Sequence, residues 1–145
     1  MSDVLPPRPA SHRWAMVCFG LQALPLIAIF LKDGNLWRLP VMSAFLVAAA
    51  FAFVLLCFGG RSILTYYGVS IISMLLTARG FQSASYGWGV LQSGQGEPEY
   101  VQAIYGMFVL VPLFALVSYR FVFGTPSRRY FGLDAAATKG VPSEN

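Results

Sequence analysis

The sequence predicts an all-α membrane protein in which four transmembrane helices form an up-down bundle. Of its 145 residues, 57% are hydrophobic and only 11% are charged, whereas soluble domains carry about 25% charged residues. The mean hydropathy is +0.62. The apolar residues fall into runs long enough to cross a hydrocarbon layer of about 30 Å. We therefore expect one membrane domain, residues 14–123, with spans at 14–31, 40–58, 62–78 and 101–123.

The first span follows a short tail, residues 1–13. Three prolines in this tail argue against a regular helix there, so we expect an irregular cytoplasmic segment. Residues 14–31 then run without a charge, and as a helix they would be about 27 Å long. Pro25 lies inside this run and predicts a kink, because proline removes one backbone donor.

The second span, residues 40–58, opens with a proline, which is tolerated at a helix start. Ala44, Ala48 and Ala52 recur every four residues and share one helical face. Small residues in this pattern allow a second helix to pack closely. We expect these three alanines to form a helix-packing seam.

The third span, residues 62–78, follows a tight turn predicted at residues 59–61 by two glycines and an arginine. It is the least apolar of the four. Ser70, Ser73 and Thr77 have the spacing of one helical face. We expect this hydroxyl face to point into the bundle and to contribute to helix packing, although hydroxyls in this pattern could also line a polar path.

A long polar interruption, residues 80–100, separates spans three and four, and we expect it to be the one long loop on the outer side. It contains large side chains and two acids that we regard as candidate partner-binding residues: Tyr86, Trp88, Glu97, Glu99 and Tyr100. Aromatic residues of this kind supply contact area in interfaces. They are also the residues that mark the membrane–water boundary, and a short re-entrant or interfacial element is a further alternative.

The orientation follows from the distribution of Lys and Arg, which favour the cytoplasmic side. One side of the four-span arrangement carries seven basic residues, and the other carries three. The two sets are Arg8, Arg13, Arg61, Arg120, Arg128, Arg129 and Lys139 against Lys32, Arg38 and Arg79. We therefore expect both termini, including the tail 124–145, to be cytoplasmic and the 80–100 loop to lie outside the cell membrane.

The positions of the titratable residues exclude most enzymatic and transport functions. All six acids lie outside the predicted spans, so no intramembrane carboxylate is predicted to carry a proton or bind sodium. His12 is the only histidine and lies in the tail, which leaves haem and zinc sites without ligands. Cys18 and Cys57 are more typical of buried apolar residues than of a metal or redox pair. We predict no enzyme activity, no cofactor and no metal.

The charge pattern argues against nucleic acid as a partner. The basic residues stand singly at the ends of apolar runs, where they meet anionic head groups, and they form no stripe that could follow a nucleic-acid backbone. The expected partners are the lipid bilayer and another protein. Association with further copies of the same chain is an additional possibility.

In architecture the chain resembles the small polytopic inner-membrane immunity proteins that protect bacteria from pore-forming toxins, whether colicin-like or delivered by contact-dependent or type VI secretion. The features that carry the resemblance are the four spans, the tight turn at residues 59–61, the basic cytoplasmic ends and the single long outer segment. The resemblance implies a non-enzymatic, multi-pass protein of the bacterial inner membrane that meets the toxin within the bilayer or at its outer face.

The leading functional hypothesis is therefore a partner-binding membrane protein, with toxin immunity as its most concrete form. An accessory subunit of a larger membrane complex would share the same features. A pore-forming oligomer and a small four-helix membrane enzyme are further alternatives. The enzyme alternative requires charged groups gathered inside the bundle, and no arginine is predicted deep in a span.

Overall fold

The computed structural model describes residues 7–33, 40–94, 96 and 98–134, and over these residues the chain is all-helical. Four long helices are followed by one short helix: α1 (Ala10–Asp33), α2 (Pro40–Phe58), α3 (Ile63–Ser93), α4 (Pro98–Phe123) and α5 (Thr125–Tyr130).

The four long helices pack in a ring in which neighbours run in opposite directions. Each helix contacts the next, and α4 closes the ring on α1. The direction of α3 against α4 is visible where Gly80 faces Val111 and Gly87 faces Ile104. The same reversal is seen for α1 against α4 (Phe19 with Phe114, His12 with Phe121) and for α2 against α3 (Leu55 with Gly68, Phe45 with Arg79).

Most of the predicted helix positions agree with the structure. Helix α2 has the predicted bounds, and α4 begins at Pro98, three residues before the predicted start. The expectation that residues 10–13 are irregular is wrong, because α1 begins at Ala10. The last of the tail prolines is Pro9, and a proline restricts only the residues up to and just before it, so the helix starts immediately after it.

The largest difference concerns α3. The predicted third span ended at Ala78, with residues 77–82 left open between helix and loop, and a long loop was expected to follow. Helix α3 instead continues without a break to Ser93. Gly94 ends the helix with a left-handed backbone, φ 67°, and its N–H bonds to the carbonyl of Leu91, a common way for glycine to terminate a helix. The connection to α4 is therefore only residues 94–97, and the long outer loop is wrong for residues 80–93.

The reason for the extension is a seam of small residues on the face of α3 that packs against α4. Gly80, Ala84 and Gly87 follow the hydroxyl face with the same three- and four-residue spacing. A Cβ added at Gly80 would lie 3.2 Å from Val111 Cγ2, and one at Gly87 would lie 3.0 Å from Ile104 Cγ2. Glycine weakens a helix by about 1 kcal/mol relative to alanine, but here it lets the two backbones approach, as in membrane helix pairs.

The described residues contain two helices that are long and apolar enough to cross a membrane, Ile63–Ser93 and Val101–Phe123, and a shorter apolar helix, Ser43–Phe58. All four long helices expose large apolar side chains, among them Leu21, Phe51, Ile71 and Leu113, each more than half exposed. The interior in turn includes small polar side chains: Ser43, Thr65, Ser70, Ser73 and Ser118 are buried.

One end of the bundle is closed by α5, and we call it the α5 end. The short helix contacts α1 and α4, and Ser127, Tyr130 and Phe131 are buried there. Ser11 of α1 and Ser127 of α5 are hydrogen-bonded, with 2.6 Å between their hydroxyl oxygens. The first part of the C-terminal tail is thus a packed cap on the bundle, and residues 135–145 lie outside the described part of the chain.

The turn between α2 and α3 belongs to the same end. Gly60 adopts φ 62°, which favours glycine, and a Cβ on Gly59 would lie 2.3 Å from the hydroxyl oxygen of Thr65. The Ser62 side chain accepts a hydrogen bond from the N–H of Leu64 and caps the start of α3. The tight turn expected at residues 59–61 is present.

Candidate functional site

A cavity of about 690 Å³ lies between α2, α3 and α4 at the end of the bundle opposite α5. We call it the Tyr86 cavity. Helices α2 and α4 line it with apolar side chains, and α3 contributes the polar ones. The lining residues are Phe45, Leu46, Arg79, Gln82, Ser83, Tyr86, Gly87, Ile104 and Met107.

The polar side of this cavity is one face of α3. Arg79, Gln82, Ser83 and Tyr86 are spaced at i, i+3, i+4 and i+7, which places them on a single helical stripe. The Nη1 of Arg79 donates a hydrogen bond of 2.7 Å to the Oε1 of Gln82, and its guanidinium carbon lies 5.8 Å from the centre of the Phe45 ring. The segment predicted as a polar loop is thus a helix with a small-residue face on α4 and a polar face on the cavity.

The polar groups of the cavity are one positive charge and several neutral hydrogen-bonding groups. The described part of its lining contains one cation, Arg79, together with amide and hydroxyl groups, and no carboxylate, histidine or cysteine. Guanidinium groups recognise carboxylates and phosphates through paired hydrogen bonds.

The structure separates the two aromatic residues that the sequence grouped together. Tyr86 is 70% exposed and lines the cavity, whereas Trp88 is 55% exposed and its ring packs edge-on against Phe108 of α4, with 6.0 Å between ring centres. Two residues apart on a helix, their side chains point about 200° from each other. Tyr86 and Trp88 therefore do not form one continuous surface.

The side chains of the other candidate partner-binding residues lie outside the described part of the structure. This holds for Glu97 and for the side chains of Glu99 and Tyr100. Their proposed contribution to partner binding stays a prediction. In the sequence, these residues belong to the short connection after α3 and to the first turn of α4.

The two predicted packing seams differ in how much of each is buried. In α2, Ala52 is fully buried, Ala48 is half-buried and Ala44 is exposed. The predicted seam is thus covered by this chain only at its end nearest the α2–α3 turn.

The hydroxyl face of α3 lies deeper in the bundle. Ser70 and Ser73 are buried and Thr77 is half-buried. Thr77 also lines a cavity of about 300 Å³ between α3 and α4, together with Ser118. The face belongs to the α3–α4 side of the bundle, and Gly80, Ala84 and Gly87 continue it.

A second organised cluster, around His12, was not predicted from the sequence. The imidazole is buried among the rings of Tyr130, Phe131 and Phe121, at 5.4, 6.1 and 6.3 Å between ring centres. Its Nε2 lies 3.1 Å from the carbonyl oxygen of Leu56. Since a carbonyl can only accept, Nε2 carries the proton and donates. The other nitrogen, Nδ1, is buried without a hydrogen-bond partner among the described residues.

The His12 contact is one of three that satisfy carbonyls at the ends of helices. The last carbonyls of a helix lack intrahelical partners, and leaving them unpaired in an apolar setting is costly. His12 donates to the end of α2, and the Tyr66 hydroxyl donates to the carbonyl of Val122 at the end of α4. The hydroxyl of Thr65 donates to the carbonyl of Gly59 over 3.0 Å. These contacts assign the cluster a structural function.

The charge state of His12 follows from its surroundings. Burial lowers the pKa of this histidine, the hydrogen bond to Leu56 opposes the decrease, and the positive charge of Arg8 adds to it. The imidazole is therefore neutral at neutral pH. Arg61, whose guanidinium carbon lies 4.8 Å from the centre of the Tyr130 ring, contributes to the same end of the bundle.

Among the described residues, no group of three or more His, Cys, Asp or Glu side chains could hold a metal ion. Cys18 and Cys57 are both half-buried, free thiols. The structure thus defines an all-helical protein with two helices that could span a membrane. Comparison with protein-family models, curated proteins and solved structures gives no match, so the function must be argued from the chain itself.

Proposed function

We propose that the chain is a multi-pass protein of the bacterial inner membrane that binds a protein partner, most concretely as an immunity protein against a membrane-targeting, pore-forming toxin. The observation that carries the proposal is the combination of apolar outer faces on all four long helices with a cation-bearing, hydroxyl-lined cavity at one end of the bundle.

The outer faces support insertion of the whole bundle and not of two helices alone. Leu21 and Leu24 of α1 and Phe51 and Val54 of α2 are about half exposed or more, as are many apolar side chains of α3 and α4. Soluble monomers rarely expose contiguous apolar patches larger than a few hundred Å². A lipid environment covers such faces on all sides of a helix ring.

The charge distribution supports an orientation with the α5 end in the cytoplasm. Six arginines lie near that end: Arg8, Arg13, Arg61, Arg120, Arg128 and Arg129. Positive charge is retained on the cytoplasmic side during insertion. The Tyr86 cavity then opens at the outer side, where an incoming toxin arrives.

The cavity supports protein binding through one positive charge and a set of neutral hydrogen-bonding groups. Arg79 is exposed. Its one hydrogen bond among the described residues goes to Gln82, so it can pair with a carboxylate of a partner. The exposed Tyr86 ring supplies a rigid apolar contact next to it. We expect a partner that inserts an acidic, partly apolar segment between α2 and α3.

Deletion of the gene tests this function. Deletion cells are mixed with wild-type siblings that release the toxin, and the membrane potential of the deletion cells is followed with a voltage-sensitive dye. We expect depolarisation and loss of viability, both restored by the wild-type gene. Unchanged potential and viability would refute the immunity function.

Variants then test the site. Tyr86→Ser and Arg79→Gln should each abolish protection without lowering the amount of protein in the membrane. The matched control is Tyr105→Ser, because Tyr105 is 59% exposed on α4 and does not line the cavity. Equal loss of protection in Tyr105→Ser and Tyr86→Ser would assign both tyrosines to the membrane boundary and would place the partner contact elsewhere.

A second function, as an accessory subunit of a larger membrane complex, is favoured by one observation. Ala44 is exposed and Ala48 is half-buried, so part of the small-residue seam on α2 is open to a helix from another chain. Ala44→Leu and Ala48→Leu would then disrupt assembly of that complex. An immunity protein that binds its toxin at the Tyr86 cavity would keep full protection in the same variants.

A further inference from the structure

The outer surface of the α1–α2 pair contains a groove of about 820 Å³ that is distinct from the Tyr86 cavity. Arg8 and Arg13 stand at one end of it, and the other described residues of the lining are apolar or glycine. Gly20, Ala23 and Ala50 supply small positions in this lining, and larger side chains complete it: Met16, Val17, Leu21, Leu24, Ile27, Phe53 and Val54.

We propose that this groove binds one acyl chain of an anionic phospholipid, whose phosphate pairs with Arg8 and Arg13. The proposal rests on the membrane insertion argued above, but it is independent of toxin immunity. The charged end of the groove lies at the α5 end, whereas the Tyr86 cavity lies at the opposite end and shares no described lining residue with the groove. The two sites therefore make separate predictions.

The dimensions of the groove fit a lipid chain in one leaflet. From Arg13 to Ile27 the lining follows α1 for fourteen residues, which corresponds to about 21 Å. One leaflet has about 15 Å of hydrocarbon and about 5–7 Å of head-group region, so its total thickness matches the length of the groove. The volume lies in the range of ligand sites, about 300–1,000 Å³. Leu21, Leu24 and Ile27 are more than half exposed, so the groove opens sideways, to the lipid phase.

The charges of the site select an anionic head group. Both arginines are exposed, and both lie on the first turn of α1 or just before it, at the level expected for the cytoplasmic head groups. None of the described residues that line the groove is acidic. Guanidinium groups hold phosphate through paired hydrogen bonds, and basic residues near the cytoplasmic leaflet favour anionic lipids. Charge and apolar surface thus occupy the positions that an anionic phospholipid requires.

The experiment uses the full chain purified from membranes in detergent. Phosphatidylglycerol or phosphatidylcholine is added to the micelles, and the bound lipid is measured by native mass spectrometry. Wild type should retain phosphatidylglycerol at least about tenfold more strongly than phosphatidylcholine. The variant Arg8→Gln/Arg13→Gln should bind phosphatidylglycerol roughly 30-fold more weakly, since each basic residue near an anionic surface contributes about a factor of five to six.

Two controls separate the site from general charge and from misfolding. Arg129→Gln removes a positive charge at the same end without touching the groove, and it should leave retention unchanged within about twofold. Ala23→Phe fills the groove and should reduce retention although both arginines remain. Its control is Ala44→Phe, at an exposed alanine of α2 outside the groove, which should retain lipid as wild type does.

The outcomes distinguish a lipid from a free phosphate compound. Soluble glycerol phosphate should fail to displace phosphatidylglycerol, because it lacks the chain that fills the groove. Displacement by glycerol phosphate, or full retention in Ala23→Phe, would overturn the groove proposal in favour of simple phosphate pairing. Equal retention of both lipids by wild type would overturn it altogether. Cell fractionation checks the premise separately, because a chain recovered in the soluble fraction contradicts membrane insertion itself.

Discussion

Substitution of Gly87 tests whether α3 is a packed helix beyond residue 78. A Cβ at this position would lie 3.0 Å from Ile104 Cγ2 and 3.1 Å from its Cγ1, which is tighter than ordinary van der Waals contact. Gly89 lies two residues further along the same helix, and a Cβ there would have no neighbour within 4 Å. Leucine at position 87 must push α3 and α4 apart, whereas leucine at position 89 enters open space.

The expected difference in stability follows from two contributions. Replacing glycine by leucine inside a helix raises the free energy of unfolding by up to about 1 kcal/mol, and this gain applies to both positions. Overpacking a close contact costs about 1–3 kcal/mol, and this cost applies only at position 87. We therefore expect Gly87→Leu to be about 1–3 kcal/mol less stable than Gly89→Leu.

The assay is denaturant unfolding of the purified chain in detergent, followed by far-ultraviolet circular dichroism. Gly89→Leu should be at least as stable as wild type, and Gly87→Leu should unfold at a lower denaturant concentration. Equal unfolding midpoints for the two variants would refute the close approach of α3 and α4 at this level.

Two further predictions concern the α5 end. Because burial lowers the pKa of His12, the unfolded chain takes up a proton at higher pH than the folded chain does. Above the unfolded-state pKa of about 6.5, the contribution of His12 to the free energy of unfolding is therefore complete. This contribution decreases as the pH falls from there towards the lower pKa of the folded state. His12→Phe should remove this part of the pH dependence, as measured by unfolding midpoints in detergent between about pH 7.5 and pH 5; an unchanged pH profile would contradict the buried, neutral imidazole. Tyr66→Phe should lower the free energy of unfolding by about 1–2 kcal/mol, because the carbonyl of Val122 loses its donor. Tyr67→Phe is the control, since the Tyr67 ring is 53% exposed; equal losses in the two variants would argue against the Tyr66 contact.

The sequence was most informative where a helix is defined by local chemistry. Helix α2 has the predicted bounds because a proline at position 40 and two glycines at positions 59 and 60 mark its ends, with only apolar and small residues between. The end of α3 could not be found in this way. Arg79 and Gly80 are local signals for the end of a span, but the contact of Gly80 and Gly87 with α4 overrides them, and that contact depends on residues more than fifteen positions away.

The candidate site could be predicted only in part, because it too depends on the helical continuation of α3 beyond residue 78. Tyr86 was singled out as an exposed aromatic residue, and it does line a cavity. Its neighbours Arg79 and Gln82 were missed, because their common face exists only if the segment is helical. His12 was assigned to an irregular tail, since nothing local indicates that its ring packs between residues as distant as Leu56 and Tyr130.

The length of α3 connects the fold to the proposed function. Its 31 residues correspond to about 46 Å, whereas the hydrocarbon layer is about 30 Å thick. The helix starts beside Arg61, which the proposed orientation places at the cytoplasmic head groups, so about twenty residues bring it to the outer boundary near residue 82. The last ten or so residues must then extend beyond the hydrocarbon. In the proposed orientation these residues carry Tyr86 and the mouth of its cavity to the outer surface. A toxin of the proposed kind would meet a helical segment there instead of a flexible loop, and binding to it would cost less conformational entropy.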